Sequence, residues 1–222
     1  MRRVTRPFRS GMPPRWCLAY ASPVRIGIFG GTFDPVHVGH LVAAVNVRHA
    51  LDLDKVLMVV ANRPWQKVGE RDVTPAADRL ALVEAAVAAS PGVEASSIEV
   101  DRGGDSYTAD TVEELGRLEP GAELYLVVGA DVAGDLSTWE RLDAVRSAVT
   151  LVVVNRPGHR SVPLGPGGPL SGWRAVAIEI PALEISSTDL RDRAATGRPL
   201  DFLIPEPAIR VIRERGLYAL DG

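Results

Sequence analysis

The sequence predicts an α/β domain built on a parallel β-sheet. Apolar runs of strand length alternate along the chain with stretches of helical length. The first apolar run meets a pair of glycines, which is typical of a buried strand that ends in a turn. The chain has 222 residues, of which 46% are hydrophobic, enough for one α/β domain with a sizeable core. We therefore expect right-handed crossovers between strands, and ligands at the carboxyl ends of the strands.

The elements of the first half follow from local patterns. Folded sequence begins near Val24, with an apolar run that ends at Gly30 and Gly31. Pro75 follows Thr74 and suits the first position of a helix. In chain order we predict a strand at 24–29, a helix at 38–51, a strand at 55–61, a helix at 75–89, a short strand at 98–100, a helix at 108–118 and a strand at 124–129.

The second half continues the alternation and ends in helices. A helical region starts at Asp131, and Ser187 with Thr188 opens a later helix. Residues 156–172 are rich in glycine and proline and lack periodicity, so we expect a mobile loop there. The remaining predicted elements are strands at 150–155 and 175–180 and a final helix at 207–215.

Charge and composition exclude some classes of protein. The 25 basic and 28 acidic residues give a net charge of −3. Mean hydropathy is +0.06, so the chain is neither disordered as a whole nor a basic coat for nucleic acid. The charge is uneven, because residues 1–25 contain six arginines and no acid. Without those six, 19 basic residues face 28 acidic ones, a net charge of −9.

The amino-terminal segment and the single cysteine bear on location. Cys17 cannot form an internal disulfide, which fits a reducing compartment. No apolar run approaches the roughly 18 residues of a membrane-spanning helix, and the apolar stretch at 16–21 is too short for an export signal. We therefore expect a cytoplasmic protein without a membrane partner. Residues 1–22 are predicted to be a disordered or mis-started extension ahead of one domain at 23–222.

The most informative stretch is residues 30–40, where the first predicted strand ends and the first helix begins. Gly30 and Gly31 permit close backbone approach, so a phosphate could reach their amide groups and the helix N-terminus. His37 and His40 are three residues apart, which places both imidazoles on one face of the first helical turn. Together these features predict a polyphosphate site.

Other interpretations of this stretch are weaker. A Walker phosphate loop is excluded, because the chain has no Gly-x-x-x-x-Gly-Lys-Ser/Thr sequence. The dinucleotide fingerprint fails, because Gly27, Gly30 and Gly31 do not have its Gly-x-Gly-x-x-Gly spacing. A zinc site at the two histidines would need a third ligand, and a purely structural role is a further alternative.

Residues Gly30 to His40 resemble the Gly-Thr-Phe-Asp-Pro-x-His-x-Gly-His signature of the nucleotidyltransferase superfamily. Class I aminoacyl-tRNA synthetases have similar paired histidines, but this length leaves no room for an anticodon-binding domain. The resemblance implies a Rossmann-like, doubly wound parallel sheet of the nucleotidyltransferase type with a small C-terminal helical part. It also implies that Thr32 and Phe33 bind ATP together with the glycines and histidines.

A second motif, Ile185-Ser186-Ser187-Thr188-Asp189-Leu190-Arg191, resembles the Ile-Ser-Ser-Thr-x-x-Arg segment that adenylyltransferases of this superfamily place opposite the histidines. Ser187 or Thr188 can cap a helix whose free amides face a phosphate. Arg191 follows within one turn and can direct its planar, charged group to the same ligand. The alternative is an ordinary capped helix with a solvated arginine. With both motifs present, we predict that triphosphate is bound by Ser186, Ser187, Thr188 and Arg191.

Three further segments resemble the bacterial nicotinate mononucleotide adenylyltransferases in order and spacing. With them the likeness extends over nearly the whole chain except the basic tail. The first precedes a predicted helix, the second ends a predicted strand, and the third lies in the helical region after it. These segments are Asp105-Ser106-Tyr107-Thr108, Gly129-Ala130-Asp131 and Thr138-Trp139.

This resemblance assigns the acceptor end of the site. It implies that Thr108 and the backbone around Trp139 receive the nicotinate carboxylate, with the indole stacked on the pyridine ring. It also implies that Gly129 and Asp131 contact the adenosine ribose. Two simpler alternatives stay open, because Trp139 could belong to the core and Thr108 could merely cap its helix.

The loop after the second strand is the part that departs from the family pattern. The resemblance implies that Asn62 and Lys67 contact the 5′-phosphate of the acceptor. The family often has a histidine beside the loop lysine, whereas this chain reads Trp65-Gln66-Lys67. The assignment of Asn62 and Lys67 is therefore weaker than that of the two phosphate motifs.

The resemblance implies an in-line displacement. The 5′-phosphate of nicotinate mononucleotide attacks the α-phosphorus of ATP and expels pyrophosphate, giving nicotinate adenine dinucleotide in NAD biosynthesis. His37, His40 and Arg191 would be catalytic as donors to phosphate, and Mg²⁺ would enter as Mg-ATP, held mainly by the triphosphate. We expect ATP and nicotinate mononucleotide as partners.

Rival functions stay open. One is adenylyl transfer to another phosphorylated acceptor, such as phosphopantetheine or nicotinamide mononucleotide. Others are a nucleotide-sensing module without chemistry and nucleic-acid binding through the arginine-rich tail, although we expect no nucleic-acid partner. The sequence does not decide the oligomeric state, and a homo-oligomer is among the alternatives.

Overall fold

The computed structural model describes residues 22–64, 72–155, 162–164 and 167–219. Within these residues the chain forms one six-stranded β-sheet, and all neighbouring strands are parallel. Its inner strands are apolar on both faces, as expected when helices cover a parallel sheet on both sides. The strands are β1 (Arg25–Gly31), β2 (Lys55–Val60), β3 (Val93–Ser96), β4 (Glu123–Gly129), β5 (Val149–Asn155) and β6 (Ala175–Glu179).

The order of the strands is β3-β2-β1-β4-β5-β6, so the direction in which strands are added reverses between β1 and β4. β1 pairs with β2 from Ile26 to Gly31, but with β4 only from Arg25 to Ile28. A crevice therefore opens beyond the carboxyl ends of β1 and β4, which is where doubly wound sheets bind ligands. The predicted Rossmann-like, doubly wound sheet is confirmed.

Helices connect the strands and cover both faces of the sheet. Within the described residues each crossover but the last contains at least one helix, and two helices follow the final strand. The helices are α1 (Val38–Ala50), α2 (Ala76–Val87), α3 (Ile98–Arg102), α4 (Thr108–Leu118), α5 (Ala130–Ala133), α6 (Leu142–Ala148), α7 (Ser187–Ala195) and α8 (Glu206–Arg215), and a short 3₁₀ helix covers Leu136–Thr138.

The predicted short strand at 98–100 is wrong. The strand lies earlier, as β3, and residues 98–102 form the helix α3 instead. β3 is the edge strand, and of its four residues only Val93 is buried. Its apolar pattern is therefore weak, and its backbone pairing with β2 rather than its side chains defines it. The other predicted elements are confirmed, with ends shifted by at most two residues.

The core has two parts, one on each face of the sheet. Along β2, Val56 and Met58 point to one part whereas Leu57 and Val59 point to the other, because side chains alternate along a strand. The first part is covered by α1, α2, α7 and α8, and the second by α4 and α6. The predicted C-terminal helical part thus packs on the same face as α1.

Three predictions fall wholly or partly outside the described residues. The extension at 1–22 lies outside them except for its last residue, and Cys17 lies outside as well. In the predicted loop at 156–172, the described residues form no helix or strand.

Within the part of the chain that the structure describes, no helix has both the length and the apolar character needed to span a membrane.

The packing of α2 can be tested by replacing Leu82, whose side chain is fully buried in the first part of the core. We expect Leu82→Ala to lower the free energy of unfolding by about 2 to 5 kcal/mol, because it removes apolar contacts and leaves a cavity. Urea denaturation measures this change. The exposed Glu84 on the same helix provides the control, since Glu84→Ala should change stability by less than about 0.5 kcal/mol. A loss below about 1 kcal/mol for Leu82→Ala would contradict this packing.

Candidate active site

A cleft of about 420 Å³ lies at the carboxyl ends of β1 and β4. The loop after β1, the start of α4 and the segment after β4 supply most of its wall. Predicted site residues from both motifs and from the acceptor segments therefore meet in one place. Those that line the cleft are Gly30, Gly31, Thr32, Phe33, His40, Thr108, Gly129, Asp131, Trp139 and Ser187.

The other predicted site residues that the structure describes do not form the wall of the cleft. His37 is packed behind His40, with only 4% of it exposed. Asn62 is at the end of β2, where its side-chain amide donates a hydrogen bond to the carbonyl of Gly104 at 2.8 Å. Lys67 lies outside the described residues. The remaining members of this group belong to the second motif and are Ser186, Thr188 and Arg191.

The two histidines are held against each other at the start of α1. Their ring centroids are 3.7 Å apart, and the backbone N–H of His37 donates to Nδ1 of His40 at 3.2 Å. Because Nδ1 accepts this bond, a neutral His40 ring carries its proton on Nε2. His40 therefore presents an N–H donor from a ring whose orientation is fixed.

Phe33 supports His40 from the other side. The two rings pack edge to face with centroids 5.0 Å apart, and Phe33 is 3% exposed. A Cβ at Gly31 would lie 2.7 Å from the Phe33 ring, so only glycine leaves room for it. At Gly30, by contrast, a Cβ would meet no atom within 4 Å. The first glycine of the pair thus leaves open space in the cleft, and the second makes room for an aromatic side chain.

The second motif is bonded directly to the first. Arg191 donates from Nη1 to the carbonyl of Asp34 at 2.8 Å and from Nη2 to Oγ1 of Thr188 at 3.1 Å. Ser187 donates from its hydroxyl to the carbonyl of Pro35 at 2.9 Å. The N-terminus of α7 therefore lies beside the loop that carries the histidines, as the resemblance implies.

Two predictions about helix caps are wrong. Ser186, rather than Ser187 or Thr188, caps α7: its backbone is extended and its hydroxyl accepts from the N–H of Asp189 at 3.2 Å. Ser187 is already helical, so its hydroxyl is available to bond elsewhere. The alternative that Thr108 merely caps α4 is also wrong, because Tyr107 occupies the cap position and Thr108 is the first helical residue.

A buried carboxylate and a tyrosine support the loop after β1, and the predicted site did not include either. Asp34 is 1% exposed, and the hydroxyl of Tyr218 donates to its Oδ1 at 2.9 Å. The N–H of Thr74 reaches Oδ2 at 3.5 Å. Asp34 could have been suspected from its place inside the histidine motif. Tyr218 follows the last helix, and no local pattern marks it.

The predicted site also did not include a cluster of polar side chains near the start of α4. Glu99 and Thr111 are 7% and 1% exposed, and the Thr111 hydroxyl donates to Oε1 of Glu99 at 2.6 Å. Arg102 donates to the same hydroxyl oxygen at 3.1 Å. Ser106 Oγ is buried and has no hydrogen-bond partner among the described residues. Glu99, Ser106 and Thr111 all line the cleft. Ser106 lies in the segment 105–108 that carries the resemblance but has no role assigned there, and no local signal marks Glu99 or Thr111.

Trp139 lies between the core and the cleft. Its side chain is partly buried against the second part of the core, and it also lines the cleft. Asp131 comes close to Gly129, because a Cβ at Gly129 would lie 2.4 Å from an oxygen of the Asp131 carboxylate. No group of three or more His, Cys, Asp and Glu side chains that could hold a metal ion occurs in the described ranges.

Comparisons with known proteins identify the family of this chain. The family model described as cytidylyltransferase-like matches residues 28–193. A protein of Corynebacterium kroppenstedtii named "probable nicotinate-nucleotide adenylyltransferase" is 43% identical over 198 residues, which cover 89% of this chain and 92% of that protein. A protein of Saccharopolyspora erythraea with the same name is 41% identical over 194 residues, which cover 87% of this chain and 89% of that protein.

A solved structure has the same fold. The Plasmodium falciparum nicotinic acid mononucleotide adenylyltransferase, complexed with NaAD, matches with a TM-score of 0.71 and 19% identity over 87% of this chain and 97% of that one. The sheet with its histidine motif defines a nucleotidyltransferase of the cytidylyltransferase-like class. Within that class, the chain belongs to the nicotinate-nucleotide adenylyltransferase family, which confirms the resemblance found in its sequence.

The environment of Tyr218 makes the free energy of unfolding depend on pH in the alkaline range. Burial, followed by the Asp34 carboxylate, raises the pKa of Tyr218 above its ordinary value of 10.0. Above about pH 10 the unfolded chain therefore loses this proton while the folded protein keeps it. The stability that Tyr218 contributes is complete below that pH and falls as the pH rises, by up to about 1.4 kcal/mol per pH unit.

We expect Tyr218→Phe to lose this dependence of stability on pH, because phenylalanine has no proton to release. Between about pH 10 and 11, the free energy of unfolding should fall more steeply with pH in the wild type than in the variant. Urea denaturation at a series of fixed pH values measures both slopes. Equal slopes would contradict a buried, hydrogen-bonded Tyr218.

Proposed function

We propose that the protein transfers the adenylyl group of ATP to nicotinate mononucleotide, forming nicotinate adenine dinucleotide and pyrophosphate in NAD biosynthesis. One observation carries this proposal: a single cleft at the switch point is lined by His40 and Ser187 of the two phosphate motifs and also by Thr108 and Trp139 of the acceptor segments. Family membership supports the same reaction.

We propose that the triphosphate lies against the loop after β1 and the start of α7. His40 suits this role because it lines the cleft and its ring orientation is fixed by the hydrogen bond that Nδ1 accepts. Open space at Gly30 allows a phosphate to approach the backbone amides. Donation from the deeply buried His37 stays a prediction. ATP-binding roles for Thr32, Phe33, Gly129 and Asp131 stay predictions too.

We propose that Arg191 holds the leaving pyrophosphate. Its guanidinium group donates to the Asp34 carbonyl and to Thr188. These bonds orient a planar, permanently charged group that is suited to phosphate oxygens. The amides at the N-terminus of α7, which includes Ser187 and Thr188 and is capped by Ser186, favour the same negative charge.

We propose that the pyridine ring of the acceptor lies between Trp139 and the start of α4. The indole offers an aromatic face, and the N-terminus of α4 at Thr108 favours a carboxylate. Contacts from Asn62 and Lys67 to the 5′-phosphate stay predictions. The side-chain amide of Asn62 has two N–H donors, and one of them is directed to the Gly104 carbonyl.

The reaction needs no nucleophilic side chain, because the attacking 5′-phosphate oxygen is already an anion at neutral pH. The chain would contribute by holding the two substrates in line and by placing donors where charge develops on the expelled pyrophosphate. His40 and Arg191 fit the second role, since both are held by hydrogen bonds before substrate arrives.

We propose that Mg²⁺ accompanies ATP. The side chains proposed to contact the triphosphate are imidazole, guanidinium and hydroxyl groups, which suit phosphate oxygens better than a hard cation. The ion would therefore be held mainly by triphosphate oxygens and water. When bound, it neutralises part of the charge on the triphosphate.

An acceptor screen tests the proposed function. The purified protein is incubated with ATP and one acceptor, and pyrophosphate and dinucleotide are quantified. We expect nicotinate mononucleotide to react with a kcat/KM at least about 10-fold above that of nicotinamide mononucleotide, because a site built for a carboxylate loses its charged partner when an amide replaces it.

The same screen separates the rival functions. Equal kcat/KM values for the two pyridine mononucleotides would contradict the assigned carboxylate site. Preference for phosphopantetheine would contradict the proposed acceptor altogether. Binding of ATP without release of pyrophosphate in the presence of any acceptor would indicate a nucleotide-sensing module.

Replacing His40 tests the proposed phosphate donor. We expect His40→Ala to lower kcat by about 100-fold or more, because a fixed donor aimed at developing charge is typically worth about 2.7 to 4 kcal/mol. Steady-state kinetics with ATP and nicotinate mononucleotide give this value. The matched control is His49→Ala, which removes an exposed histidine at the far end of the same helix and should leave kcat unchanged. Normal turnover by His40→Ala would exclude the phosphate role.

A further inference from the structure

Arg79 on α2 is a buried cation with an unusual set of partners. It is 1% exposed and donates three hydrogen bonds to backbone carbonyls. Nη1 reaches the carbonyl of Thr32 at 2.7 Å, Nη2 that of Asn62 at 3.0 Å, and Nε that of Thr74 at 2.7 Å. Burying a charge is costly unless it is well hydrogen-bonded, so these contacts are a condition for keeping an arginine here.

The three carbonyls belong to the parts of the chain assigned to the two substrates. Thr32 lies in the loop after β1, which continues into the histidine motif and lines the cleft. Asn62 follows β2, and Thr74 precedes α2. The resemblance assigns Asn62 to the acceptor phosphate. One guanidinium group therefore holds the loop after β1 together with the described residues at the two ends of the segment between β2 and α2.

The shape of the guanidinium group makes this contact restrictive. Its donors are arranged in a rigid plane, so carbonyls that bind to Nε, Nη1 and Nη2 have fixed positions relative to one another. Thr74 adds a further link, because its N–H reaches the carboxylate of Asp34 at 3.5 Å while its carbonyl accepts from Arg79. A shift of one loop would therefore disturb bonds to the other.

We infer that Arg79 is a positioning residue, which sets the loop after β1, proposed to bind ATP, at the correct distance from the loop that begins at Asn62, the residue assigned to the acceptor phosphate. This inference rests on the proposed function. An in-line displacement depends on alignment of the attacking oxygen with the α-phosphorus, and a misplacement of about 1 Å can cost about 100-fold in rate. Arg79 contributes to the rate through the two loops, without touching either substrate.

If Arg79 served only to stabilise the fold, its loss would lower the melting temperature and leave kcat unchanged. α2 is already anchored by Leu82, Val83, Ala86 and Val87, all buried in the core. Loss of the guanidinium group should therefore change the relative position of the loops more than the packing of the helix. Each loop keeps its own substrate-binding groups, so the KM values should change less than kcat.

The test compares Arg79→Met and Arg79→Lys with the wild type, using thermal unfolding and steady-state kinetics with ATP and nicotinate mononucleotide. We expect Arg79→Met to lower kcat by about 100-fold, with both KM values within about 3-fold of the wild type. Arg79→Lys keeps the charge but cannot reproduce the planar set of three bonds, so its kcat should lie between those of Arg79→Met and the wild type.

Arg25→Met is the matched control. It removes a partly buried arginine that bonds to Tyr125 at the opposite, amino-terminal end of the sheet. It should lower the melting temperature without lowering kcat. A kcat for Arg79→Met within about 3-fold of the wild type would overturn the inference, as would a loss confined to the KM values.

The remaining outcomes are also decisive. If Arg79→Met does not fold, Arg79→Lys carries the test, and an unchanged kcat in that variant overturns the inference. If neither variant folds, Arg79 serves stability alone and the inference fails. A wild-type protein that releases no pyrophosphate with any pyridine mononucleotide refutes the proposed function instead. By contrast, an active wild type together with fully active Arg79 variants would refute the inference about Arg79 and leave the proposed function intact.

Discussion

Buried carbonyl groups in the loop between β1 and α1 must find hydrogen-bond donors, and most of the site depends on how they do so. A buried carbonyl without a partner is costly. Here the donors are side chains on α2 and α7 that lie 47 to 157 residues away in sequence. The loop that presents the histidines is thus shaped by helices from two distant parts of the chain. The bonds are those from Arg79 to Thr32, from Arg191 to Asp34 and from Ser187 to Pro35.

The same bonds explain how an acidic chain can form a site for polyanions. The net charge is −3, so the overall field does not attract two phosphorylated substrates. Attraction has to be local, from donors fixed near the cleft. Arg191 is held by two hydrogen bonds, and the His40 ring is held by one hydrogen bond and by Phe33. Donors that are already oriented cost little to reorganise when charge develops, which is the property that transfer of an adenylyl group requires.

Sequence reasoning recovered the elements that have a strong local pattern and missed those that depend on contacts. α4 begins and ends as predicted, because its apolar period is pronounced and Thr108 follows an extended segment. β3 was misplaced, because an edge strand has few buried side chains and is defined by pairing with β2. The same distinction holds for the site. Motif residues such as His40 were found, whereas Arg79 and Tyr218 look like ordinary helical and terminal residues until the fold brings them under the loop.

The α/β class, the two phosphate motifs and the family follow from the amino-acid sequence alone, because each of these is encoded by residue types at short, fixed spacing. How those parts come together depends on the fold. It placed Ser187 on the loop that carries His37 and His40, and it buried Glu99 and Thr111 in the wall of the acceptor end. The physical reason is that a hydrogen bond or a shared cleft between distant segments arises only when the sheet orders its strands. No local pattern can therefore reveal it.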